Sequence, residues 1–350
     1  MDIDIRQLLK ITNDLEASDL HLTVGVPPTV RINGFLSKLD YPELTVDDVY
    51  NLLYGLLNNE QKKKFEEIKE IDFSVEIPSL ARFRVNIFQH RRGIAGAFRL
   101  IPDKIKTLED LGLPESLKDF TTKPKGLVLI TGPTGSGKST TIASLIDIIN
   151  ENQRLHIITI EDPIEFIHKH KNCIIDQREV GMHTQSFSYA LRSALREDPD
   201  VILVGEMRDL ETIAMAVTAA ETGHLVFSTL HTNSAAETVE RVIDVFPSHQ
   251  QRQIRIQLAE SLQAVVSQTL LPNIEQSCRV PVVEIMRATP AIKNIIREER
   301  IHMIPATIQS SQKQGMQTTD QCLRELYRNH IITREVALSK ATDAAFVVSR

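Results

Sequence analysis

The chain has 350 residues, 42% of them hydrophobic and 25% charged, a balance that suits a soluble protein of about two domains with a sizeable core. Its 46 acidic residues outnumber its 40 basic ones, for a formal net charge of −6, so no broad electrostatic grip on nucleic acid is expected. Cys173, Cys278 and Cys322 lie far apart and no apolar run approaches the roughly 18 residues that span a bilayer, which excludes a disulfide framework, a zinc site and direct membrane insertion, and fits a cytoplasmic location.

Residues 3–16 place Ile5, Leu8, Leu9, Thr12 and Leu15 at helical spacing, and SDLHLTVG then alternates like a strand. Pro27-Pro28 and Asn33-Gly34 punctuate a hairpin of Val30–Ile32 with Phe35–Leu39. Thr45 is expected to cap a helix through Asn58, and a second helix follows from Glu60 to Ile68. Strands are predicted at 71–77, 81–90 and 93–101, joined by short turns. Residues 1–101 therefore read as a small α+β domain. The stretch 102–125 sets Pro102, Pro114 and Pro124 among charged and polar residues and reads as a linker carrying one short helix.

From residue 126 short apolar strands alternate with helices. LVLIT, HIITIE (156–161), VILVGE (201–206) and HLVFSTL (224–230) are separated by helical stretches at 139–150, 185–197 and 209–221. Strands this apolar predict an α/β architecture, with a mostly parallel sheet covered on both faces. From Ala235 onward the pattern reads as almost entirely helical, so 126–350 is expected to be one domain with a helical C-terminal region.

The strongest local signal is GLVLITGPTGSGKSTTIAS, residues 126–144. An apolar strand runs into Gly132, Pro133, Thr134, Gly135, Ser136, Gly137, Lys138, Ser139 and Thr140, and then into a helix. This spacing lets backbone N–H groups turn inward around phosphate oxygens, above the positive end of the following helix. Lys138 is expected to reach the β- and γ-phosphates of ATP, and the Ser139 hydroxyl to ligate Mg²⁺.

In an open α/β sheet the ligand lies beyond the carboxyl ends of the strands. Glu161 ends the second core strand and is a candidate to orient or deprotonate an attacking water, with Asp162 in the metal shell; an ordinary acidic turn is the alternative. Glu206 ends the third and is read as a metal-shell or base-network acid, or as the partner of Arg208 in a structural ion pair. His224 and His231 flank the fourth. Seven residues apart across a strand, they do not share a face, so a two-histidine metal site is not expected; each is either structural or a γ-phosphate sensor. Arg82, Arg84 and Arg99 fall on strands of the first domain, with Arg82 and Arg84 facing the same way. Spacing leaves them as a solvated edge or as fingers toward triphosphate charge.

Together these segments resemble the secretion ATPases of the type II and type IV pilus superfamily over nearly the whole length. The matching motifs are GPTGSGKST (132–140), ITIEDPIEF (158–166), DPDVILVGEMRD (198–209), GHLVFSTLHTNSA (223–235) and RFRVNIFQHRRG (82–93). AIKNIIRE at 291–298 resembles the AIRNLIRE signature of the retraction branch, with Lys293 for Arg and Ile295 for Leu. Assembly ATPases of that superfamily carry an extra N-terminal domain and a four-cysteine motif, and the lack of that motif here favours retraction.

The resemblance implies a PAS-like N-terminal domain (1–101), a linker or hinge (102–125) and a RecA-like P-loop NTPase domain (126–350). It implies a homohexameric, Mg²⁺-dependent ATPase motor for pilus retraction and twitching motility. Glu161 becomes the general base, Glu206 the Walker B acid, His224 and His231 the couplers of phosphate state to movement, and Arg82, Arg84 and Arg99 finger or relay residues. The implied partners are an inner-membrane pilus platform protein and, as a candidate, a paralogous retraction ATPase, with no nucleic acid; the implied location is the cytoplasmic face of the inner membrane. A secretion, pilus-assembly or DNA-uptake ATPase, or a nucleotide-gated regulatory module, are the alternatives.

Overall fold

Alternation along single strands sets the first sheet: in Ala81–His90, Phe83, Val85 and Ile87 are fully buried while Arg84 points outward, so one face of the strand goes to a core and the other to solvent. The structure, a computed structural model, describes residues 3–32, 34–77, 81–101 and 105–349. It contains two units, Met1–Lys104 and Ile105–Arg350.

In the first unit the order is α1 (Ile5–Asp14), β1 (Asp19–Leu22), β2 (Thr29–Ile32), β3 (Phe35–Lys38), α2 (Val46–Tyr54), α3 (Asn59–Ile68), β4 (Glu70–Ile77), β5 (Ala81–His90) and β6 (Gly93–Ile101). The six strands form one antiparallel sheet in the order β3-β2-β1-β6-β5-β4. Thr45 caps α2 as its sequence predicts, through a reciprocal pair in which the Asp48 N–H donates to Thr45 Oγ1 and the Thr45 N–H to the Asp48 carboxylate. Leu8, Leu9, Val49, Leu53 and Phe65 from the helices close over Leu20, Phe83, Val85 and Phe98 of the sheet. Asn33 of the expected hairpin turn, the 78–80 turn and residues 102–104 of the expected linker lie outside the described residues.

The second unit is a seven-stranded sheet with helices on both faces. Its elements are β7 (Gly126–Thr131), α4 (Lys138–Asn152), β8 (His156–Glu161), β9 (Ile174–Glu179), α5 (Phe187–Ala194), β10 (Val201–Val204), α6 (Leu210–Thr222), β11 (Leu225–Leu230), α7 (Ala235–Asp244), α8 (Ser248–Ser261), β12 (Leu262–Pro272) and β13 (Arg279–Arg287), followed by α9 (Pro290–Arg297), α10 (Ile304–Ser310), α11 (Thr319–Arg328), α12 (Arg334–Leu338) and α13 (Ala344–Val348). The strand order is β13-β12-β7-β11-β10-β8-β9, all parallel except β13, which runs antiparallel to β12. Successive residues of one strand feed opposite cores: Leu127 and Leu129 pack with α5–α10 on one face, Val128 and Ile130 with α4 and the C-terminal helices on the other.

Three strands correct the expectation. The run from Ala235 is not almost entirely helical: 262–272 is β12 and 279–287 is β13, and the helical C-terminal part starts only at Pro290. Ala264, Val265 and Val266 are all fully buried, because β12 lies between two other strands and under helices on both sides. Such a segment has no polar face and therefore no readable period. The short edge strand β9 was also absent from the prediction.

The expected linker behaves differently as well. Leu108, Leu113, Leu117 and Phe120 are at most 6% exposed and belong to the second unit's core against α4. Glu115–Phe120 forms a 3-10 turn, and the Arg287 guanidinium stacks 5.0 Å from the Phe120 ring centroid. The prolines break any helical period, so the apolar side chains between them do not read as a buried face. Phe120→Ala should therefore destabilise the second unit by about 3–5 kcal/mol in denaturant unfolding. A solvated linker would give a change within about 0.5 kcal/mol.

Candidate nucleotide-binding site

The strands β7, β11, β10 and β8 are neighbours and parallel, so their carboxyl ends emerge along one edge. From β7 to β8 that edge spans about 14 Å at the usual strand spacing. All six residues of β7 are buried, which fixes where the chain leaves the sheet at Gly132. There φ is +139°, and a Cβ would sit 2.1 Å from the Gln268 carbonyl oxygen of β12. Only glycine fits.

The loop then delivers α4 with Gly137 as an N-cap that has no side-chain cap, which leaves the first N–H groups of the helix to whatever occupies the loop. Lys138 Nζ donates to the carbonyls of Gly132 (2.8 Å) and Pro133 (3.0 Å). Burial holds its pKa below the usual lysine range, against the attraction of Glu206 and Glu165. Pro133, Thr134 and Gly135 form the exposed crown, and Ser139 and Thr140 are half-buried on the first helical turn. Ser136 Oγ is buried with no hydrogen-bond partner among the described residues. Uncapped amides, a buried ammonium and an unused hydroxyl fit a chain of phosphates.

Glu161 closes β8. Its carboxylate accepts from Thr159 Oγ1 (2.6 Å) and from Gln177 Nε2 of β9 (3.1 Å). Burial of the carboxyl outweighs these bonds and pushes its pKa up to about 7. Glu206, just beyond β10, has the opposite balance. Burial would raise it too, but Arg208 Nη2 at 2.7 Å and His231 Nε2 at 2.9 Å hold it below the ordinary carboxylate range. The ion pair with Arg208 is thus present, together with a second partner from β11. Asp162 is exposed beside Glu161, within electrostatic reach of Arg208.

The two histidines part company. His231 follows β11 directly and meets Glu206 at the loop edge. His224 precedes β11, at the amino ends of the strands, where its Nδ1 lies 2.9 Å from the Ala219 carbonyl at the end of α6. Seven residues of extended chain put it about 20 Å from His231. The structure therefore does not bring His224 to its own chain's phosphate loop, contrary to the expectation for both histidines.

The arginines form a row in the first unit. Along the ladder Arg31, Asp19, Arg99 and Arg84 are direct cross-strand neighbours on β2, β1, β6 and β5. Arg99 Nε contacts Asp19 at 3.0 Å, Arg31 contacts the same carboxylate at 3.7 Å, and Arg84 lies 3.7 Å from Asp72. Arg82, two residues before Arg84, shares its face, so all three predicted arginines point to one side of the sheet. Arg84 opposite Arg99 is a like-charge pair, which a sheet alone disfavours.

Sequence reasoning missed Thr159, Glu165, Gln177 and Gln268. Thr159 lies two residues before Glu161 and so on the same strand face, a signal that was available. Gln177 and Gln268 sit on β9 and β12, which were not read as strands.

A family profile described as "Type II/IV secretion system protein" matches residues 64–350. The type IV pilus retraction ATPase PilT of Pseudomonas aeruginosa is 53% identical over 97% of this chain and 98% of its own. A twitching motility protein of Neisseria gonorrhoeae is 50% identical over 91% of this chain and 85% of its own. Among solved structures, the crystal structure of the pilus retraction motor PilT with bound ADP superposes with a TM-score of 0.92 at 48% identity, covering 97% of this chain and 98% of that one. The fold is accordingly a secretion-ATPase fold with a RecA-like nucleotide-binding domain, and the chain belongs to the type II/IV secretion system protein family.

Proposed function

We propose that this chain is a Mg²⁺-dependent ATPase that works as a homohexameric motor and powers retraction of a type IV pilus. The observation that carries the ATPase reading is the assembly on one sheet edge of a phosphate loop with Lys138, a desolvated carboxylate at Glu161 and an ion-paired one at Glu206. The pilus reading is supported by the two long relatives, which are named for pilus retraction and twitching motility.

In this reading the loop amides from Gly132 to Thr140 and Lys138 hold the triphosphate and neutralise charge that builds on the γ-phosphoryl group. Glu161, with its raised pKa, takes the proton from the attacking water. Thr159 and Gln177 aim its carboxylate. Ser139, half-buried on the first turn of α4, and the carboxylates of Asp162 and Glu206 just beyond β8 and β10 are hard oxygen donors that would hold Mg²⁺. When bound, it supplies charge neutralisation at the β- and γ-phosphates. His231 passes the state of that edge to Glu206 and the loop after β11. Arg82, Arg84 and Arg99 act on a neighbouring subunit's phosphates. His224, bonded to the Ala219 carbonyl before β11, takes no part at its own chain's nucleotide.

Among the described residues no helix is long and apolar enough to cross a membrane. Attachment at the cytoplasmic face of the inner membrane is accordingly assigned to a pilus platform protein, with a paralogous retraction ATPase as a further partner. Cells lacking the protein should be hyperpiliated and unable to twitch; bald cells would point to assembly instead.

Lys138→Ala should abolish ATP turnover by the purified protein, and substantial residual turnover would sink the assignment. Glu161→Gln should bind ATP within a few-fold of the parent and lose about 100-fold or more in kcat; a normal single-turnover rate would remove Glu161 from the base role. Because the base works deprotonated, kcat/KM of the parent should climb with pH and level off above about 7. Stability should respond in the reverse sense. A folded-state pKa raised above the unfolded value contributes stability at low pH that is lost as pH rises through about 7. The Tm gain of Glu161→Gln over the parent should therefore grow between pH 5 and pH 8.

A further inference from the structure

We infer that Gln268, on β12, is a positioning residue that presets the phosphate loop for nucleotide. Gln268 is 5% exposed, and both ends of its amide are used at the junction of loop and helix. Nε2 donates to the Ser136 carbonyl at 2.7 Å, and Oε1 accepts from Thr141 Oγ1 at 2.8 Å. The orientation of the amide is forced, since a carbonyl oxygen can only accept.

The consequence follows from peptide geometry. In a trans peptide the C=O and the next N–H point in opposite directions. Drawing the Ser136 carbonyl onto Gln268 turns the Gly137 N–H away from β12, toward the concavity that the loop encloses. Gly137 has φ +87°, a conformation glycine adopts freely and would also leave freely. A Cβ there would stand 2.9 Å from Gln268 Nε2, so the two residues are in close contact. The second arm, on Thr141, ties the same amide to α4, whose Thr141 Oγ1 also reaches the Gly137 carbonyl at 3.1 Å. Gln268 thus holds the Ser136–Gly137 peptide directly, while its Oε1 and the Gly137 carbonyl share the single Thr141 hydroxyl proton. Beside it, Ser267 Oγ lies 2.8 Å from Thr141's counterpart at the loop's other end, Thr131 Oγ1, so consecutive residues of β12 brace the entry and the exit of the loop.

The inference rests on the nucleotide-binding reading of the loop and adds a residue from a strand outside it. Gln268→Met keeps the volume and removes both bonds. Losing them leaves a buried carbonyl unpaired and the Gly137 amide free to turn, so Kd for ADP in isothermal titration and KM for ATP should rise about tenfold or more. Because the amide meets substrate and transition state alike, kcat should stay within about threefold. Loss of folded protein alone would do the opposite, lowering kcat at unchanged KM. A folded Gln268→Met protein with KM and Kd within twofold of the parent overturns the proposal. If that variant does not fold, Thr141→Val decides: an increase in KM of about threefold supports the bracing role, and an unchanged KM refutes it. Failure of the parent protein itself to bind ADP would remove the nucleotide reading and this inference with it, whereas ADP binding by the parent with an unaffected variant removes only the inference.

Discussion

The candidate site depends on β7 being held as a fully buried central strand. It is paired in parallel on both sides, with Leu225–Leu230 in register against Gly126–Thr131 and Ser267 against Thr131. A slip of one residue would exchange Leu127 and Leu129 for Val128 and Ile130 between two separate cores and carry Gly132 about 3.3 Å along the strand. Gly132 would then leave the one place where its bare Cα clears the Gln268 carbonyl. Hydrophobic burial on two faces thereby sets the height of the loop above the sheet, and with it the reach of Lys138.

Along the same edge, the environments of two carboxylates are driven apart. Glu161 has neutral partners, Thr159 and Gln177, and cannot offset its burial; Glu206 has Arg208 and His231 and more than offsets it. In the proposed mechanism this divergence would separate the tasks of proton acceptor and fixed negative charge. It follows from which strand each residue terminates: β8 is flanked by β9, which offers an amide, and Glu206 lies beside the end of β11, which offers an imidazole.

What could be read from the sequence was local in it. The phosphate loop is contiguous, and its strand and helix are adjacent, so its chemistry was visible at once. Glu161, Asp162, Glu206 and His231 were legible as strand ends once alternating strands and helices were recognised. Which histidine lies at the carboxyl edge was not legible, because spacing shows only that the two flank one strand, whereas the parallel sheet sets His231 at one edge and His224 at the other. Gln268 was hidden for a different reason: a strand buried on both faces has no polar period to announce it. In the stretch 105–125, proline and charge masked four side chains that belong to a core. The cross-strand alignment of Arg84 with Arg99 could not be read before the register of β5 with β6 was known.

In the row Arg31, Asp19, Arg99 two guanidinium groups share one carboxylate. Asp19 is 8% exposed, and stripping such a carboxylate of its only cation would be costly. Here the carboxylate is shared, with Arg31 on one oxygen, Arg99 on the other and the Ser18 hydroxyl donating as well. An anion that competes for Arg99 therefore leaves Asp19 still paired. The bond between Arg99 and Asp19 can thus be exchanged without leaving an unbalanced buried charge in the sheet.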